Sequence, residues 1–263
     1  MTKTVMITGA SRGIGEAAAR IFAAQGWLVA ATARRPETLG NWAHAPNVAA
    51  IRLDVTDVVS VRQAVGEIES RLGPVDVLVN NAGAGLGGAV EGVTREELSE
   101  LFDLNFFGLI STIQAVLPGM REKSSGVIIN VSSAAGRVGL PFLAPYCASK
   151  YAVEGLTEAM AYELAPFGVQ VKLIEPGGVK TSFEHKWAES AAYERGAAAT
   201  RARYVAGSKK AMGPEGVAKA IYLAATDGKS RLRYTANGAG PLMALNRFLP
   251  AATWRALVQS SFG

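Results

Sequence analysis

The sequence has 263 residues and a formal net charge of +5, with 49% hydrophobic and 19% charged residues. This length suits one large α/β domain, and the low density of charge excludes a disordered chain. The net positive charge would suit binding to nucleic acid, an anionic surface or a phosphorylated ligand. No block of Lys and Arg exceeds two residues, however, and we therefore expect no nucleic-acid partner.

The first residues and the scarce Cys and His side chains indicate a cytoplasmic protein. "MTKTVMITGA" passes directly into a short apolar run without a signal-peptide pattern, and no run of eighteen apolar residues follows. Cys147 is the only cysteine, and His44 and His185 have no Cys or carboxylate at the spacing of metal ligands. We expect no stable membrane insertion, no internal disulfide and no metal.

Short apolar runs alternate along the chain with longer stretches of helical period, which is typical of a parallel sheet covered by helices. The pattern predicts an α/β fold with a doubly wound parallel sheet in a single domain, residues 1–263, whose ligands bind beyond the carboxyl ends of the strands. The expected strands are residues 4–9, 27–33, 48–55, 75–81, 126–133, 169–176 and 231–236. The expected helices cover roughly residues 13–25, 58–72, 95–119, 146–166 and 214–225.

The first strand ends in a glycine-rich loop, "TGASRGIG", at residues 8–15. Glycines at this point let the backbone turn tightly and approach a pyrophosphate, which then binds the free N–H groups at the start of the following helix. A tight turn between strand and helix would use the same residues, but the position after the first strand favours a dinucleotide site. We expect Gly9, Gly13 and Gly15 to form it.

The end of the second strand determines which dinucleotide is preferred. NAD sites of this kind usually carry an acidic residue there for the ribose 2′-hydroxyl, whereas this sequence has Ala33 followed by Arg34. Arg34 and Arg12 can flank a 2′-phosphate, and a charge-assisted contact of about 1.5 to 3 kcal/mol corresponds to roughly 10- to 150-fold in affinity. We expect NADP(H) to be preferred over NAD(H), with Arg35 in solvent and with Glu37 able to leave some use of NAD.

"PYCASKYAVEGL" places Tyr146 and Lys150 four residues apart, on one face of a helix. A free tyrosine is a poor base at neutral pH because its pKa is near 10. An ammonium group about 5 Å away contributes roughly 3 kcal/mol at an effective dielectric constant of about 20, which would lower that pKa by about 2 units. Alone, the pair is common on helix surfaces, and its meaning depends on the residues around it.

Polar side chains end or interrupt other apolar segments. "NVSSAAG" places Ser133 at the end of the fifth strand, 13 residues before Tyr146, and "NNAG" ends the fourth strand. Asn105 is a lone amide in the apolar helical stretch "LFDLNFFG", where it would be costly to leave unpaired. Asp54 ends the third strand and would either accept a hydrogen bond from an adenine amino group or cap the next turn.

Together, "TGASRGIG", "NNAG", Asn105, Ser133, "YCASK" and "PGGVKT" (176–181) resemble the short-chain dehydrogenase/reductase family in its classical form. The motifs agree with the family in order and spacing over about residues 4–181, and "TARRPETL" and "EPGGVKTSF" look most like its steroid or retinol dehydrogenase branch. The resemblance implies a Rossmann fold with a seven-stranded sheet in the order 3-2-1-4-5-6-7. It also implies an NAD(P)-dependent oxidoreductase that acts on CH-OH donors.

The resemblance further assigns a role to each member of the tetrad Asn105, Ser133, Tyr146 and Lys150. Tyr146 would protonate the carbonyl oxygen in reduction or act as the base in oxidation, and Ser133 would hydrogen-bond that oxygen. Lys150 would bind the nicotinamide ribose and lower the pKa of Tyr146, and Asn105 would hold a water in the proton relay. The expected cofactor-binding residues are Gly9, Ser11, Arg12, Gly13, Ile14, Gly15, Arg34, Asp54, Val55, Asn81, Ala82, Gly83, Tyr146, Lys150, Pro176, Gly177, Val179 and Thr181.

The segments after the last motif are expected to select the substrate. Residues 182–212 are rich in Ala and charged residues, which predicts a helical substrate lid. The expected lining of the pocket is apolar or aromatic and predicts a bulky hydrophobic ketone, aldehyde or alcohol. Its members are Val138, Leu140, Phe142, Phe183 and Trp187.

Residues 240–263 form an amphipathic tail whose apolar face needs a partner. We rank a dimer interface above closure over the substrate and contact with a membrane surface, and ordinary core packing also stays open. Common tetrameric relatives end differently, and we therefore expect a homo-oligomer that is a dimer more than a tetramer. For the protein as a whole, the alternative to an enzyme is a non-catalytic NADP(H)-binding regulator or scaffold, against which the intact tetrad argues.

Overall fold

The computed structural model describes residues 2–183 and 185–262, with only the backbone for Ser261 and Phe262. The strands are β1 (Thr4–Ile7), β2 (Leu28–Ala33), β3 (Val48–Arg52), β4 (Val75–Asn80), β5 (Gly85–Gly87), β6 (Gly126–Val131), β7 (Val169–Pro176), β8 (His185–Trp187) and β9 (Arg233–Ala236). The α-helices are α1 (Gly13–Ala24), α2 (Val58–Leu72), α3 (Arg95–Phe102), α4 (Gly108–Glu122), α5 (Ala144–Leu164), α6 (Glu194–Lys210), α7 (Glu215–Thr226), α8 (Ala239–Phe248) and α9 (Ala251–Phe262).

The central sheet has seven parallel strands in the order β3-β2-β1-β4-β6-β7-β9. Numbered among themselves, these strands follow the order 3-2-1-4-5-6-7, which confirms the predicted doubly wound sheet. The chain runs outward from β1 to β3 and then returns to continue from β4 on the other side. This reversal opens a crevice at the carboxyl ends of β1 and β4, where folds of this kind bind ligands.

The sheet is buried on both faces because successive strand side chains point to opposite layers. Met6, on β1, packs with Val61 and Ile113 in the layer formed by α2, α4 and α5. Its neighbour Val5 packs with Phe22 in the layer formed by α1 and α7. The two layers fix the strand ends that carry the polar motifs.

Helices α3 and α4 are joined by a π-helical turn, Asp103–Phe107. The resulting helix, Arg95–Glu122, is long and apolar enough to cross a membrane by length and composition alone. Leu109, Ile113 and Val116, however, belong to the core between α4 and the sheet. We therefore interpret it as a core helix of this domain.

The predicted lid and tail contain more structure than the sequence indicated. Within residues 182–212, β8 pairs in parallel with β5 to form a separate two-stranded sheet, and α6 follows it. The tail consists of two helices, α8 and α9, rather than one amphipathic stretch. Lid and tail therefore cover the carboxyl ends of the central strands with defined elements.

Candidate active site

A cavity of about 540 Å³ opens at the carboxyl ends of the central strands. Nearly all of the residues expected to bind the cofactor or to take part in catalysis line it, whereas Gly15, from the first group, and Asn105, from the second, do not. The lining residues from the expected set are Gly9, Ser11, Arg12, Gly13, Ile14, Arg34, Asp54, Val55, Asn81, Ala82, Gly83, Ser133, Tyr146, Lys150, Pro176, Gly177, Val179 and Thr181.

The glycine loop has a conformation that side chains at its glycines would disrupt. Gly9 and Gly13 have φ of +66° and +60°, a region that residues with a Cβ atom rarely adopt. A Cβ atom on Gly15 would collide with the carbonyl oxygen of Gly9 and would lie 2.6 Å from Nδ2 of Asn81. The loop can therefore be this tight only with glycine, and it leaves the first N–H groups of α1 facing the cavity.

Asn81 braces the glycine loop from the next strand. Its Nδ2 donates hydrogen bonds to the carbonyl oxygens of Thr8, at 3.0 Å, and Gly9, at 3.1 Å. The hydroxyl of Thr8 accepts hydrogen bonds in return from the backbone N–H groups of Asn81 and Ala82. This exchange holds the loop after β1 and the loop after β4 in register across the crevice.

The second strand ends at Ala33, beside two cations. Arg12 and Arg34 are exposed, line the cavity, and form no ion pair within the described part of the chain. Arg35 is also exposed but does not line the cavity. A free pair of guanidinium groups beside a strand end without a carboxylate suits a phosphate.

The structure shows one of the two roles that the sequence left open for Asp54, capping of the turn after β3. Its Oδ1 accepts hydrogen bonds from the backbone N–H of Thr56, at 3.0 Å, and from the Thr56 hydroxyl, at 2.7 Å. It thus closes the turn after β3 and also lines the cavity. Capping the turn and facing a ligand are compatible for a carboxylate, which offers several lone pairs.

The cavity fits a nicotinamide dinucleotide on these observations: a glycine cradle with no room for Cβ atoms, free helix N–H groups and two unpaired cations. Thr181 approaches the same cradle from the far end of the crevice, since a Cβ atom on Gly13 would lie 3.3 Å from its side chain. Among the described residues, no group of three or more His, Cys, Asp or Glu side chains is placed to hold a metal ion.

Ser133, Tyr146 and Lys150 meet where β6 ends and α5 begins. The Ser133 hydroxyl accepts a hydrogen bond from the backbone N–H of Ala135, and its interaction with the Tyr146 hydroxyl favours the ionised form of that phenol. Nζ of Lys150 donates to the carbonyl oxygen of Val131, at 3.0 Å, and lies 6.0 Å from the centroid of the Tyr146 ring. Tyr146 and Lys150 are both buried, so the three groups form a compact polar cluster on the cavity wall.

The pKa of Tyr146 shifts in the direction opposite to the one that the sequence predicted. Burial raises the pKa of Tyr146 above its ordinary value, and the interaction with Ser133 opposes this only in part. Burial also lowers the pKa of Lys150 to about 8, against the nearby charge of Glu154. The expected lowering of the Tyr146 pKa by Lys150 is therefore not found, because desolvation of the phenol outweighs the influence of a lysine that is itself desolvated. At neutral pH the Tyr146 hydroxyl holds its proton.

Asn105 lies in the π-helical turn, behind Gly83. Its Oδ1 accepts from the backbone N–H of Ala84, at 2.8 Å, and its Nδ2 donates to the carbonyl oxygen of Ala84 and to the hydroxyl of Ser149. The buried amide is thus satisfied by protein groups and ties the turn to the loop after β4. It supports the site from behind rather than lining the cavity.

Two buried carboxyl groups lie beneath the cluster, Glu154 on α5 and Glu175 on β7. Arg137 and Arg233 reach both of them, with guanidinium distances of 3.4 Å to Glu175. Burial raises the pKa of Glu154, and burial together with the charge of Glu154 raises that of Glu175 to about 7 despite the two cations. Sequence patterns gave no sign of this group, because its members come from four separate segments.

The substrate side of the cavity has a different lining from the one expected. Leu140 and Phe183 do line it, but Val138 is fully buried beside Cys147, Trp187 packs on Gly87, and Phe142 packs against Gly196. The additional lining residues are Leu143, His185, Tyr204 and, from the tail, Leu242. The expectation was wrong for Val138, Phe142 and Trp187 because these side chains are taken up by packing against other parts of the protein rather than facing the cavity.

A series of glycines receives the lid strand. β5 belongs to the stretch "GAGLGGAVEG" (83–92), and Gly85 lies opposite His185 in the register of the small sheet. A Cβ atom on Gly85 would collide with the imidazole ring of His185. Cβ atoms at Gly87, Gly88 and Gly92 would approach the Trp187 ring to 2.8 Å, the carbonyl oxygen of Ala188 to 2.7 Å and that of Glu189 to 2.6 Å. The lid can therefore pack this closely only because these four positions are glycine. We call Gly85, Gly87, Gly88 and Gly92 the seat of the lid.

The family model described as short chain dehydrogenase matches residues 3–192. Among curated relatives, a 3-ketodihydrosphingosine reductase of Bacteroides thetaiotaomicron is 47% identical over 180 residues, which cover 68% of this chain and 65% of that protein. Retinol dehydrogenase 8 of Bos taurus is 41% identical over 196 residues, which cover 71% of this chain and 62% of that protein. This chain thus aligns with somewhat less than two thirds of the length of each.

Solved structures match over nearly the whole chain. A short-chain dehydrogenase from Streptomyces avermitilis has a TM-score of 0.87 at 36% identity, covering 99% of this chain and 96% of that one. An alcohol dehydrogenase from Thermococcus sibiricus, complexed with 5-hydroxy-NADP, has a TM-score of 0.75 at 26% identity, covering 91% and 98%.

Proposed function

The chain belongs to the short chain dehydrogenase family, and we propose that it is an NADP(H)-dependent oxidoreductase that interconverts a hydrophobic ketone or aldehyde with its alcohol. The observation that carries the proposal is the Tyr146 hydroxyl, which is buried on the cavity wall beside Ser133 and Lys150 and holds its proton at neutral pH because burial raises its pKa. Such a hydroxyl can donate its proton to a carbonyl oxygen on which negative charge develops as the carbonyl group is reduced.

The residues of the site would divide the chemistry as follows. The hydroxyls of Ser133 and Tyr146 hold the carbonyl oxygen of the substrate, and the Tyr146 proton moves to that oxygen as charge develops on it. Lys150 keeps donors free beyond its bond to Val131 and is suited to the hydroxyls of a ribose. The nicotinamide cofactor supplies the hydride. In the reverse direction Tyr146 accepts the proton of the alcohol.

A preference for NADP(H) is supported by the charges at the end of β2. Arg12 and Arg34 face the cavity without partners, and Ala33 presents no carboxylate to repel a 2′-phosphate. The similar alcohol dehydrogenase from Thermococcus sibiricus is complexed with an NADP derivative. The loops carrying Asn81 and Thr181 would hold the remainder of the cofactor along the crevice.

The substrate is proposed to be apolar around its reacting carbon. Leu140, Leu143, Phe183 and Leu242 supply this part of the cavity wall. The names of the relatives, a 3-ketodihydrosphingosine reductase and a retinol dehydrogenase, refer to a ketone and an alcohol. Leu242 also supports closure of the tail over the substrate, one of the three roles considered for it.

The experiment is a screen of NADPH consumption with ketones and aldehydes of increasing apolar size, together with direct measurement of NADPH and NADH binding. Consumption of NADPH that depends on the carbonyl compound is the expected result. Tight binding of NADPH without turnover of any compound would instead favour the regulator or scaffold. Both measurements use the full chain.

We further propose a cytoplasmic homo-oligomer, a dimer more than a tetramer, that binds neither nucleic acid nor a membrane core. Leu245, Phe248 and Leu257 of the tail are exposed and would be covered in a dimer. Analytical ultracentrifugation of the full chain tests this, and a monomer at all concentrations would contradict it. Retention on immobilised DNA or RNA at low salt would contradict the absence of a nucleic-acid partner.

A further inference from the structure

His185 is a buried imidazole that has no hydrogen-bond partner. Its side chain is 8% exposed, and neither Nδ1 nor Nε2 has a partner among the described residues. The ring nevertheless lines the cavity, next to the catalytic tyrosine: its centroid lies 4.9 Å from that of Tyr146 and 4.4 Å from that of Tyr204. Buried polar groups in proteins are almost always paired, so these two nitrogens require an explanation.

The placement of this imidazole is built into the fold. His185 follows the turn at Thr181 and opens β8, and its ring is held edge-on between Phe183, Tyr146 and Tyr204. Gly85 opposite it leaves the space that the ring occupies. A side chain of only apolar character, such as Phe, would fill the same space without leaving unpaired nitrogens, so packing alone does not account for histidine here.

The imidazole is neutral in this setting. Its immediate neighbours are aromatic rings, and burial lowers its pKa to about 4. A neutral imidazole offers one N–H donor and one acceptor nitrogen. The group that complements it best is a hydroxyl, which likewise donates once and accepts. A charged group on the substrate would find no opposite charge on this ring.

We propose that His185 recognises a hydroxyl group on the substrate, carried on a carbon close to the reacting carbonyl. The closeness of its ring to Tyr146 places this second polar group within a few bonds of the carbon that is reduced. The apolar wall then contacts the rest of the molecule, and the substrate class becomes a hydrophobic hydroxy ketone or the corresponding diol. This inference rests on the proposed oxidoreductase function and narrows its substrate.

The test compares acetophenone with α-hydroxyacetophenone in the wild type and in His185→Phe, with NADPH at saturation. Phe keeps the ring contacts and removes both nitrogens. The hydroxyl also alters the reactivity of the carbonyl. The informative quantity is therefore kcat/KM for α-hydroxyacetophenone divided by kcat/KM for acetophenone, compared between wild type and variant. We expect this ratio to fall about 10-fold in the variant, the size of one lost hydrogen bond with its partner left unpaired.

Two further variants separate recognition from lid structure. His185→Asn retains a donor and an acceptor and should recover part of the ratio that His185→Phe loses. Lys186→Ala changes the outward-facing neighbour on the same strand, whose ammonium pairs with Glu97 at 3.2 Å, and should leave the ratio as in the wild type. An equal loss for both ketones in His185→Phe, or a fall of the ratio in Lys186→Ala, would overturn the inference.

The inference and the proposed function fail in different ways. If the wild type reduces neither these ketones nor any member of the wider panel while binding NADPH, the oxidoreductase proposal fails and the inference falls with it. If the wild type reduces them and the ratio is the same in His185→Phe, the enzyme stands and hydroxyl recognition by His185 is refuted.

Discussion

The floor and the lid of the cavity are held in place by different forces. The floor, defined as the glycine loop 8–15 with Ser133, Tyr146 and Lys150, is connected by hydrogen bonds such as those that Asn81 gives to the loop. The lid, residues 182–212, presents aromatic rings in edge-to-face contact over the same space, and its central imidazole has no hydrogen-bond partner among the described residues. The floor is therefore specified by polar geometry, and the lid by shape.

This difference separates two kinds of function. Hydrogen bonds and positive-φ glycines fix atoms to within a fraction of an ångström, as acid catalysis and cofactor binding require. Ring packing tolerates exchange of one apolar side chain for another of similar volume. Substitutions in the floor should accordingly affect chemistry and cofactor, whereas substitutions in the lid should affect the substrate alone, and each of the following variants tests that division.

The floor variant Tyr146→Phe removes the hydroxyl that we propose as the proton donor and keeps the ring. We expect kcat to fall by about 10²- to 10⁴-fold, the usual contribution of general acid catalysis, with NADPH affinity nearly unchanged. Steady-state kinetics with the best ketone of the panel and a binding titration measure the two effects. Tyr151→Phe, on the exposed side of the same helix, is the matched control. Comparable turnover in both variants would contradict the role of Tyr146.

Arg34→Ala tests the cofactor end of the floor. Loss of a charge-assisted contact should weaken NADPH binding by roughly 10- to 150-fold and NADH binding far less. Arg35→Ala changes the next residue, which does not line the cavity, and should leave both affinities close to those of the wild type. Equal losses for NADPH and NADH would show that Arg34 does not contact a 2′-phosphate.

Gly85→Ala tests the seat of the lid. The added methyl group meets the His185 ring, and overpacking by one methyl should cost about 1 kcal/mol, which is roughly a 5-fold loss in kcat/KM. NADPH affinity should not change, because the floor is untouched. Gly66→Ala, where a Cβ atom meets no other atom within 4 Å, is the control. Weaker NADPH binding in Gly85→Ala would break the separation of lid from floor.

Glu175→Gln tests the carboxyl groups beneath the floor. Because burial raises the Glu175 pKa from 4.5 to about 7, the folded state keeps a proton in this pH range that the unfolded state has released. Stability should therefore decrease as pH rises from about 4.5 to about 7, and the slope should be flatter in the variant. Urea unfolding at a series of pH values measures the slope, with Glu163→Gln on the surface of α5 as the control. The same slope in the wild type and Glu175→Gln would contradict the prediction.

The sequence allowed prediction of the floor because local backbone chemistry defines it. Gly9 and Gly15 occur where a side chain would prevent the turn, and the fold confirmed seven strands close to their expected positions. The expected strands ran two or three residues too far, because side-chain pattern does not show where ladder pairing stops and a turn begins: β1 stops at Ile7, before the loop, and β3 stops at Arg52, before the turn that Asp54 closes. Whether the expected site residues bind a cofactor stays a prediction.

The lid was less predictable because its structure depends on contacts between distant segments. Phe183, His185 and Trp187 occupy alternate positions, a strand signal that was too short to outweigh the alanine-rich helical character of the region. The pairing of β8 with β5 joins residues about a hundred positions apart, and no local sequence pattern predicts it. The raised Tyr146 pKa was missed for a similar reason, since spacing along a helix does not report burial.

The glycines of residues 85–92 have a consequence for exchanging parts between relatives. A lid with a different strand brings different side chains to these glycines, whereas Gly85, Gly87, Gly88 and Gly92 leave room for the side chains and backbone of the present lid. A chimera that takes a foreign lid should therefore also take the foreign segment corresponding to residues 83–92. The unit to exchange for a change of substrate is thus two segments that are separate in sequence, residues 83–92 and the lid, and they should be exchanged together.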